Sequence, residues 1–182
     1  VTGQEPPQIT HTFDPAVDGT SDVTLTNIEI PAGTNPKFTG NAKISGILYI
    51  HSPNIVQFGG NAEITGMIVA EGNLDNPLEE DRIEFHGTLN SYDASGLSEE
   101  EFGALTQETG TFILAPGFST LFGGDFEQLN GVIAASGVEF FGNAGGTING
   151  SIINYADSVM SLQGNTNLVF NRSGVEENPA GF

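Results

Sequence analysis

A pattern of apolar and polar positions recurs about every 20 residues along the chain. Residues 38–48 and residues 58–68 both follow the scheme Phe-x-Gly-Asn-Ala-x-Ile-x-Gly-x-apolar, with an offset of 20 at every position and no insertion within either copy. Further copies begin at Phe122 and Phe140, and a last copy begins at Leu162. A period near 20 that tolerates short insertions is typical of a solenoid, in which each repeat stacks on the previous one.

The local period predicts strands rather than helices. Within each copy the apolar residues alternate, and each apolar stretch is interrupted by Gly or Asn after a few residues. A coil of this length holds three short strands and their corners. The sequence therefore predicts an all-β fold, a single-rod parallel β-helix (β-solenoid) over residues 23–172, with coils of about 18–22 residues and a first strand over residues 23–30.

Three segments depart from the repeat. Residues 71–110 form an acidic insertion in this interpretation, and Ser98 with Glu101 predicts a capping box for a short helix over about residues 98–107. Residues 1–22 are polar and predict an extended arm, which either caps its own rod or lies along a neighbour. Residues 173–182 lack the repeat and predict a tail.

The repeat also predicts which side chains stack inside the rod and which form its corners. The first inward column comprises Phe38, Phe58, Phe85, Phe122, Phe140 and Leu162, and the second comprises Ile44, Ile64, Leu129, Ile148 and Leu168. The predicted corners are Gly40-Asn41, Gly60-Asn61, Gly124-Asp125, Gly142-Asn143 and Gly164-Asn165. Gly and Asn tolerate positive φ, and stacked Asn side chains can bond to one another as a ladder, with Asp125 in the same row.

Charge narrows the classes of partner. The 182 residues carry 23 Asp and Glu against 4 Lys and Arg, a formal net charge of −19. A chain this anionic is repelled by phosphate backbones and anionic lipid, so nucleic acid is not an expected partner. No apolar run is long enough to span a membrane. The chain has no cysteine, which removes disulfides and cysteine-ligated zinc.

Candidate chemistry is sparse. The acidic cluster Glu79, Glu80, Asp81 and Glu84 is a weak candidate for calcium, although it lacks EF-hand spacing and also fits a solvated acidic loop. The acids expected on the outside of the regular coils are too scattered for a pair of catalytic carboxylates. The three histidines are far apart in sequence. We therefore predict no catalytic residue, no enzyme activity and no other cofactor.

The repeat is similar to a known family. Gly-Asn-Ala-x-Ile-x-Gly followed by turns such as Ser52-Pro53-Asn54 resembles the Gly/Asn-rich C-terminal domain of bacterial PilX-type pilus-assembly proteins, over residues 36–70 and 111–182. The resemblance implies a secreted or surface location, a prepilin-like N-terminal segment that a processed portion would lack, and no catalytic residue. The acidic insertion is a departure from that family.

These observations lead to one functional expectation and two alternatives. The first is a non-enzymatic extracellular structural protein of the bacterial surface, a subunit or adhesin of a pilus or filament, which associates with itself, with other surface subunits or with glycans. The first alternative is a carbohydrate-binding or carbohydrate-cleaving β-helix. The second is a bactofilin-like polymer stacked end to end.

Overall fold

The computed structural model describes residues 9–156 and 159–171 of the chain. These residues form a parallel β-solenoid of about eight turns with one short α-helix, which confirms the predicted fold class. The strands are β1 (His11–Thr12), β2 (Val23–Ile30), β3 (Lys37–Phe38), β4 (Ala42–His51), β5 (Ile55–Phe58), β6 (Ala62–Glu71), β7 (Arg82–Phe85), β8 (Leu89–Tyr92), β9 (Thr111–Phe122), β10 (Asp125–Asn130), β11 (Val132–Phe140), β12 (Gly145–Asn149), β13 (Ile152–Asn154), β14 (Ser161–Leu162) and β15 (Asn167–Asn171).

The strands pair in three parallel ladders, which we name A, B and C. Ladder A contains β3, β5, β7, the second parts of β9 and β11, and β14. Ladder B contains the first parts of β2, β4 and β6, followed by β8, β10, β12 and β15. Ladder C contains β1, the second parts of β2, β4 and β6, the first parts of β9 and β11, and β13. Each coil visits B, then C, then A.

A stack of phenylalanine rings fills the core beneath ladder A. Ring centroids lie 5.0 to 5.4 Å apart through Phe13, Phe38, Phe58, Phe85, Phe122 and Phe140. These rings are at most 2% exposed. Leu162 pairs with Phe140 in register but is 50% exposed, because it belongs to the last described strand of ladder A. The expectation that Leu162 is also buried inside the rod is therefore wrong.

The predicted second column is not continuous. Ile44 lies beside Ile64, and Leu129 lies beside Ile148, but Ser91 stands opposite Ile64 in the next coil of ladder B. At the end of the rod Phe170, not Leu168, stands opposite Ile148. At Ser91 the spacing is unchanged, since Ser91 follows Phe85 by six residues as Ile44 follows Phe38, and only the residue type interrupts the column. In the last coils the cause is a longer corner between ladders A and B, because Ile148 follows Phe140 by eight residues.

A more regular column lies under ladder C. It runs through Ile28, Leu48, Ile68, Ile113, Ile133 and Ile152, each in register with the next. All but the last of these residues are fully buried. Burial of a side chain of this kind contributes roughly 1.5–3 kcal/mol. This column and the phenylalanine stack together hold successive coils in register.

The acidic insertion is two loops rather than one. Residues 72–81 connect ladder C to ladder A after β6, and residues 93–110 connect ladder B to ladder C after β8. Between them β7 and β8 are regular strands of the rod. The expectation of one continuous insertion over residues 71–110 is therefore wrong, because the strand that contains Phe85 pairs with β5 and β9 and continues the solenoid between the two loops.

The second loop contains the helical segment. A 3₁₀-helix at Ala94–Gly96 is followed by α1 (Glu99–Phe102) and a further 3₁₀-helix at Gly103–Gln107. The predicted helix over residues 98–107 is thus α-helical for one turn only, since Gly103 leaves the helical conformation with a φ of 51°. Ser98 is the N-cap residue, but its side chain makes no capping hydrogen bond, so the predicted capping box is not formed.

The loop of residues 93–110 folds back onto the rod. Phe102 and Leu105 pack with Met67 in a small apolar cluster that lies apart from the main core. Ile47 and Val69, on neighbouring coils, pack against the same cluster.

Among the residues that the structure describes, no helix is long and apolar enough to cross a membrane.

The N-terminal segment covers the first coil of its own rod. His11 and Thr12 pair with Ile28 and Glu29, and the backbone amide of Thr39 donates to Thr20 at 2.9 Å. The Phe13 ring begins the phenylalanine stack, so residues 9–22 are a cap and not a free arm. Residues 1–8 and the predicted tail over residues 173–182 lie outside the described residues.

Candidate functional site

The corner between ladders A and B is lined by glycines because coils touch there through their backbones. A Cβ atom on Gly60 would lie 2.2 Å from the carbonyl oxygen of Gly40, and one on Gly124 would lie 2.0 Å from the carbonyl oxygen of Gly87. Gly40, Gly60 and Gly124 do not have positive φ, so the expected conformational reason is wrong for them. It holds for Gly142 and Gly164, whose φ values are 65° and 81°.

The predicted asparagine ladder is short. The Asn61 side-chain amide donates to Asn41 Oδ1 at 3.1 Å, and that of Asn41 donates to Asp22 Oδ1 at 2.7 Å. Hydrogen bonds to Asp22 from the backbone and from the side chain of Asn41 lower the pKa of the Asp22 carboxyl group. In the next two coils of ladder B, the position that corresponds to Asn61 is occupied by Thr88 and then by Asp125.

The last two predicted members of that row are displaced. Asp125 stands opposite Gly145, and Gly145 stands opposite Asn167. Asn143 and Asn165 therefore lie two residues before the row, which follows from the longer corner of the last two coils. The prediction that they continue the ladder is wrong.

A second asparagine ladder lies at the corner between ladders B and C. The side chain of Asn171 donates to Asn149 at 3.1 Å, that of Asn149 donates to Asn130 at 2.9 Å, and that of Asn130 donates to the Ser91 carbonyl at 2.7 Å. The repeated Asn-Gly pairs at residues 130–131 and 149–150 are the signal in the sequence that predicts such a row. Sequence reasoning missed this ladder.

The structure separates the candidate calcium ligands. Asp81 is fully buried at a corner, where it accepts hydrogen bonds from the Ser52 hydroxyl at 2.7 Å and from the backbone N–H of Asn54 at 3.1 Å. Glu79 and Glu80 are exposed on the loop before it, whereas Glu84 lies on ladder A. Within the described ranges no group of three His, Asp or Glu side chains is placed to hold a metal ion.

Glu84 forms the floor of a groove on the outside of ladder A, which we name the ladder A groove. It encloses about 510 Å³ and is lined by Lys37, Thr39, Gln57, Gly59, Glu84 and His86. The Glu84 side chain is only 7% exposed. Its Oε2 accepts hydrogen bonds from Gln57 at 2.7 Å and from His86 Nε2 at 3.0 Å, and Arg82 Nε lies 3.4 Å from Oε1. Burial raises its pKa, but the bonds from His86 and Gln57 and the charge of Arg82 outweigh burial and lower it.

Cationic groups gather around this groove. Of the Lys and Arg residues in the described part of the chain, Lys37 and Arg82 lie on ladder A and Lys43 on ladder B. Lys43 pairs with Glu63 at 2.8 Å, whereas Lys37 has no ion-pair partner among the described residues. The ring of Phe141 lies against the ring of His86, a residue that lines the groove, with centroids 5.9 Å apart.

A second cluster of titratable groups joins three coils through His51. Its Nε2 lies 3.1 Å from Glu29 and its Nδ1 lies 2.8 Å from Glu71. The hydrogen bond with Glu29 is the main cause of a raised pKa at His51, and Glu71 adds to it. His11 pairs with Asp18 at 2.8 Å, so the three histidines lie at separate places on the rod.

Comparison with known proteins identifies no relative of this chain. No protein-family model matches the chain, and no curated protein and no solved structure is significantly similar to it. The structure by itself defines the class of the chain, which is a parallel β-solenoid protein.

Proposed function

We propose that the chain is a non-enzymatic structural rod of the bacterial cell surface, a subunit or adhesin of a pilus or filament, attached through the C-terminal end of the described rod. The observation that carries this proposal is that the N-terminal end of the rod is covered whereas the C-terminal end exposes apolar side chains. Phe13 and β1 cover the N-terminal coil. At the other end Leu162, Val169 and Phe170 are 50%, 54% and 44% exposed.

The last strands also support attachment at this end. Within the described residues β13 and β14 pair only with β11, and β15 pairs only with β12. An unpaired strand edge beside exposed apolar side chains favours association with another strand-bearing surface. A second copy of the chain supplies such an edge, and two like ends form a closed, symmetric contact.

The capped end separates this function from the bactofilin-like alternative. A polymer stacked end to end needs both ends of every rod, and residues 9–22 occupy the N-terminal end. The net charge of −19 keeps an exposed rod soluble between its contacts. The resemblance of the Gly-Asn repeat to PilX-type domains favours the surface location.

The test is the molar mass of the protein in solution as a function of concentration, measured by light scattering after size exclusion. We expect the mass to rise with concentration for the natural chain and to stay monomeric for Phe170→Lys. Val17→Lys is the matched control, because Val17 is 76% exposed in the cap at the other end. A chain that is monomeric at every concentration contradicts self-association, and release of reducing ends from polysaccharides contradicts the non-enzymatic role.

A further inference from the structure

We propose that the ladder A groove is a binding site for a saccharide that carries a carboxylate. Lys37 would pair with the carboxylate, Thr39 and Gln57 would bond to hydroxyl groups, and Phe141 would pack against a sugar ring. This site lies on the side of the rod and uses none of the residues at its C-terminal end. It therefore goes beyond the proposed attachment and does not depend on it.

The register of ladder A sets the shape of the groove. Lys37, Gln57 and Glu84 stand directly opposite one another on three successive strands, which spans roughly 10 Å at the usual strand spacing. Thr39, Gly59 and His86 come directly after the three stacked phenylalanines, one residue beyond the ends of the same strands. Because Gly59 has no side chain, the row is open between Thr39 and His86. The result is a trough that runs along the rod, long enough for a short oligosaccharide.

The charges in the groove favour an acceptor-rich, anionic ligand. Arg82, His86 and Gln57 all engage the buried Glu84 carboxylate, which leaves little of its charge to repel a ligand. Lys37 is the ammonium group in the groove that no carboxylate of the described residues engages. A hydrogen bond between such a cation and a carboxylate is among the stronger polar contacts in proteins.

The surroundings favour a saccharide over a peptide or a nucleic acid. The strands β5 and β7 on the floor are paired along both edges, so an extended peptide finds no free backbone there. The net charge of −19 disfavours a ligand with many negative charges, such as a polyphosphate, more than a ligand whose carboxylate pairs with Lys37. Hydroxyl and amide side chains beside an aromatic ring are instead suited to a ring that has hydroxyls on its edge and carbons on its face.

The proposal is tested by calorimetric titration of the full chain with three acidic probes: tri-galacturonate, a hyaluronan tetrasaccharide and sialyllactose. We expect saturable binding of at least one of them and an affinity roughly 10-fold lower for Lys37→Gln, as expected when one charge-assisted hydrogen bond is lost. Lys43→Gln is the matched control, since it removes another exposed ammonium that lies on ladder B and pairs with Glu63. Its affinity should equal that of the natural chain.

Four outcomes would overturn the proposal. They are no saturable binding of any acidic probe at millimolar concentration, equal binding of neutral galactotriose, equal binding of hexaglutamate, and an equal loss in Lys37→Gln and Lys43→Gln. Phe170→Lys should bind the saccharide as the natural chain does. Saccharide binding that survives in this variant, together with its loss of self-association, keeps the groove and the attachment separate.

Discussion

Glycine serves two different purposes at the corners of this rod. At Gly142 and Gly164 it supplies a positive φ, which other residues adopt at a cost. At Gly60 it supplies space, because a Cβ atom would meet the Gly40 carbonyl at 2.2 Å. Sequence alone identifies these positions through the repeat, but it cannot tell the two reasons apart. The distinction depends on how closely the backbones of adjacent coils approach.

Gly59 and Gly60 form a matched pair that tests the steric reason. A Cβ atom on Gly59 would lie 3.4 Å from the Phe38 carbonyl, an ordinary contact, and neither residue has positive φ. We expect Gly60→Ala to lower the free energy of unfolding by about 1–3 kcal/mol, as overpacking does. Gly59→Ala should have less effect, within about 0.5 kcal/mol. Urea unfolding of both variants checks this, and equal midpoints would exclude a steric role.

At the level of strands, side-chain bridges across coils reinforce the backbone ladders. His51 on β4 reaches Glu29 on β2 and Glu71 on β6, and the Thr12 hydroxyl on the cap strand β1 donates to Glu29 at 2.6 Å. Tyr49 packs edge-on against the His51 ring at 5.0 Å. Both ring nitrogens of His51 face carboxylates, so the bridge is complete only when the imidazole carries both protons.

This bridge predicts a pH dependence of stability. The folded-state pKa of His51 is raised above the unfolded value of 6.5, so its contribution is present below pH 6.5 and is lost as pH rises through the folded pKa. The pKa of Glu29 is lowered, so its contribution persists until the medium is more acidic than its unfolded value of 4.5. The bridge therefore contributes most between those limits.

Thermal unfolding of His51→Gln between pH 5 and pH 8 measures the effect. Because these side chains are partly exposed, we expect a Tm about 2–4 °C below that of the natural chain near pH 5.5 and a smaller difference at pH 8. Glu71→Gln serves as the control, since it leaves His51 one carboxylate and should retain part of the pH dependence. A Tm difference that is constant with pH would show that His51 acts through packing.

The repeat predicts neighbours well where coil length is constant and poorly where it changes. Phe38 and Phe58 are 20 residues apart with no insertion, and their rings stack at 5.1 Å as the offset predicts. The predicted positions of Leu168 and Asn143 are wrong because two residues are added at one corner of the late coils. The sequence pattern does not predict the ladder A groove, because Lys37 and His86 are brought together only by the stacking of three coils.

At the scale of the whole molecule, the rod is a one-dimensional stack in which each coil contacts mainly the coils before and after it. Stability in such a stack is approximately a sum of coil and interface contributions, so the two ends behave independently. Phe13 is 2% exposed and covers the first full coil, whereas Phe170 lies on the last described strand and is 44% exposed. This difference underlies the proposal that the C-terminal end makes the attachment.

Hydrogen exchange of Phe13→Ala tests this independence. Removing a buried ring opens the capped end, so amides of Val23–Ile30 should exchange at least about 10-fold faster than in the natural chain, while those of Ile152–Asn154 should hardly change. Val17→Ala is the control, because it changes an exposed side chain of the same cap. If exchange instead accelerates equally in every coil, the rod unfolds as one cooperative unit. The exposed C-terminal coil would then be as stable as the capped end. The attachment there would be supported only by the exposure of its apolar side chains.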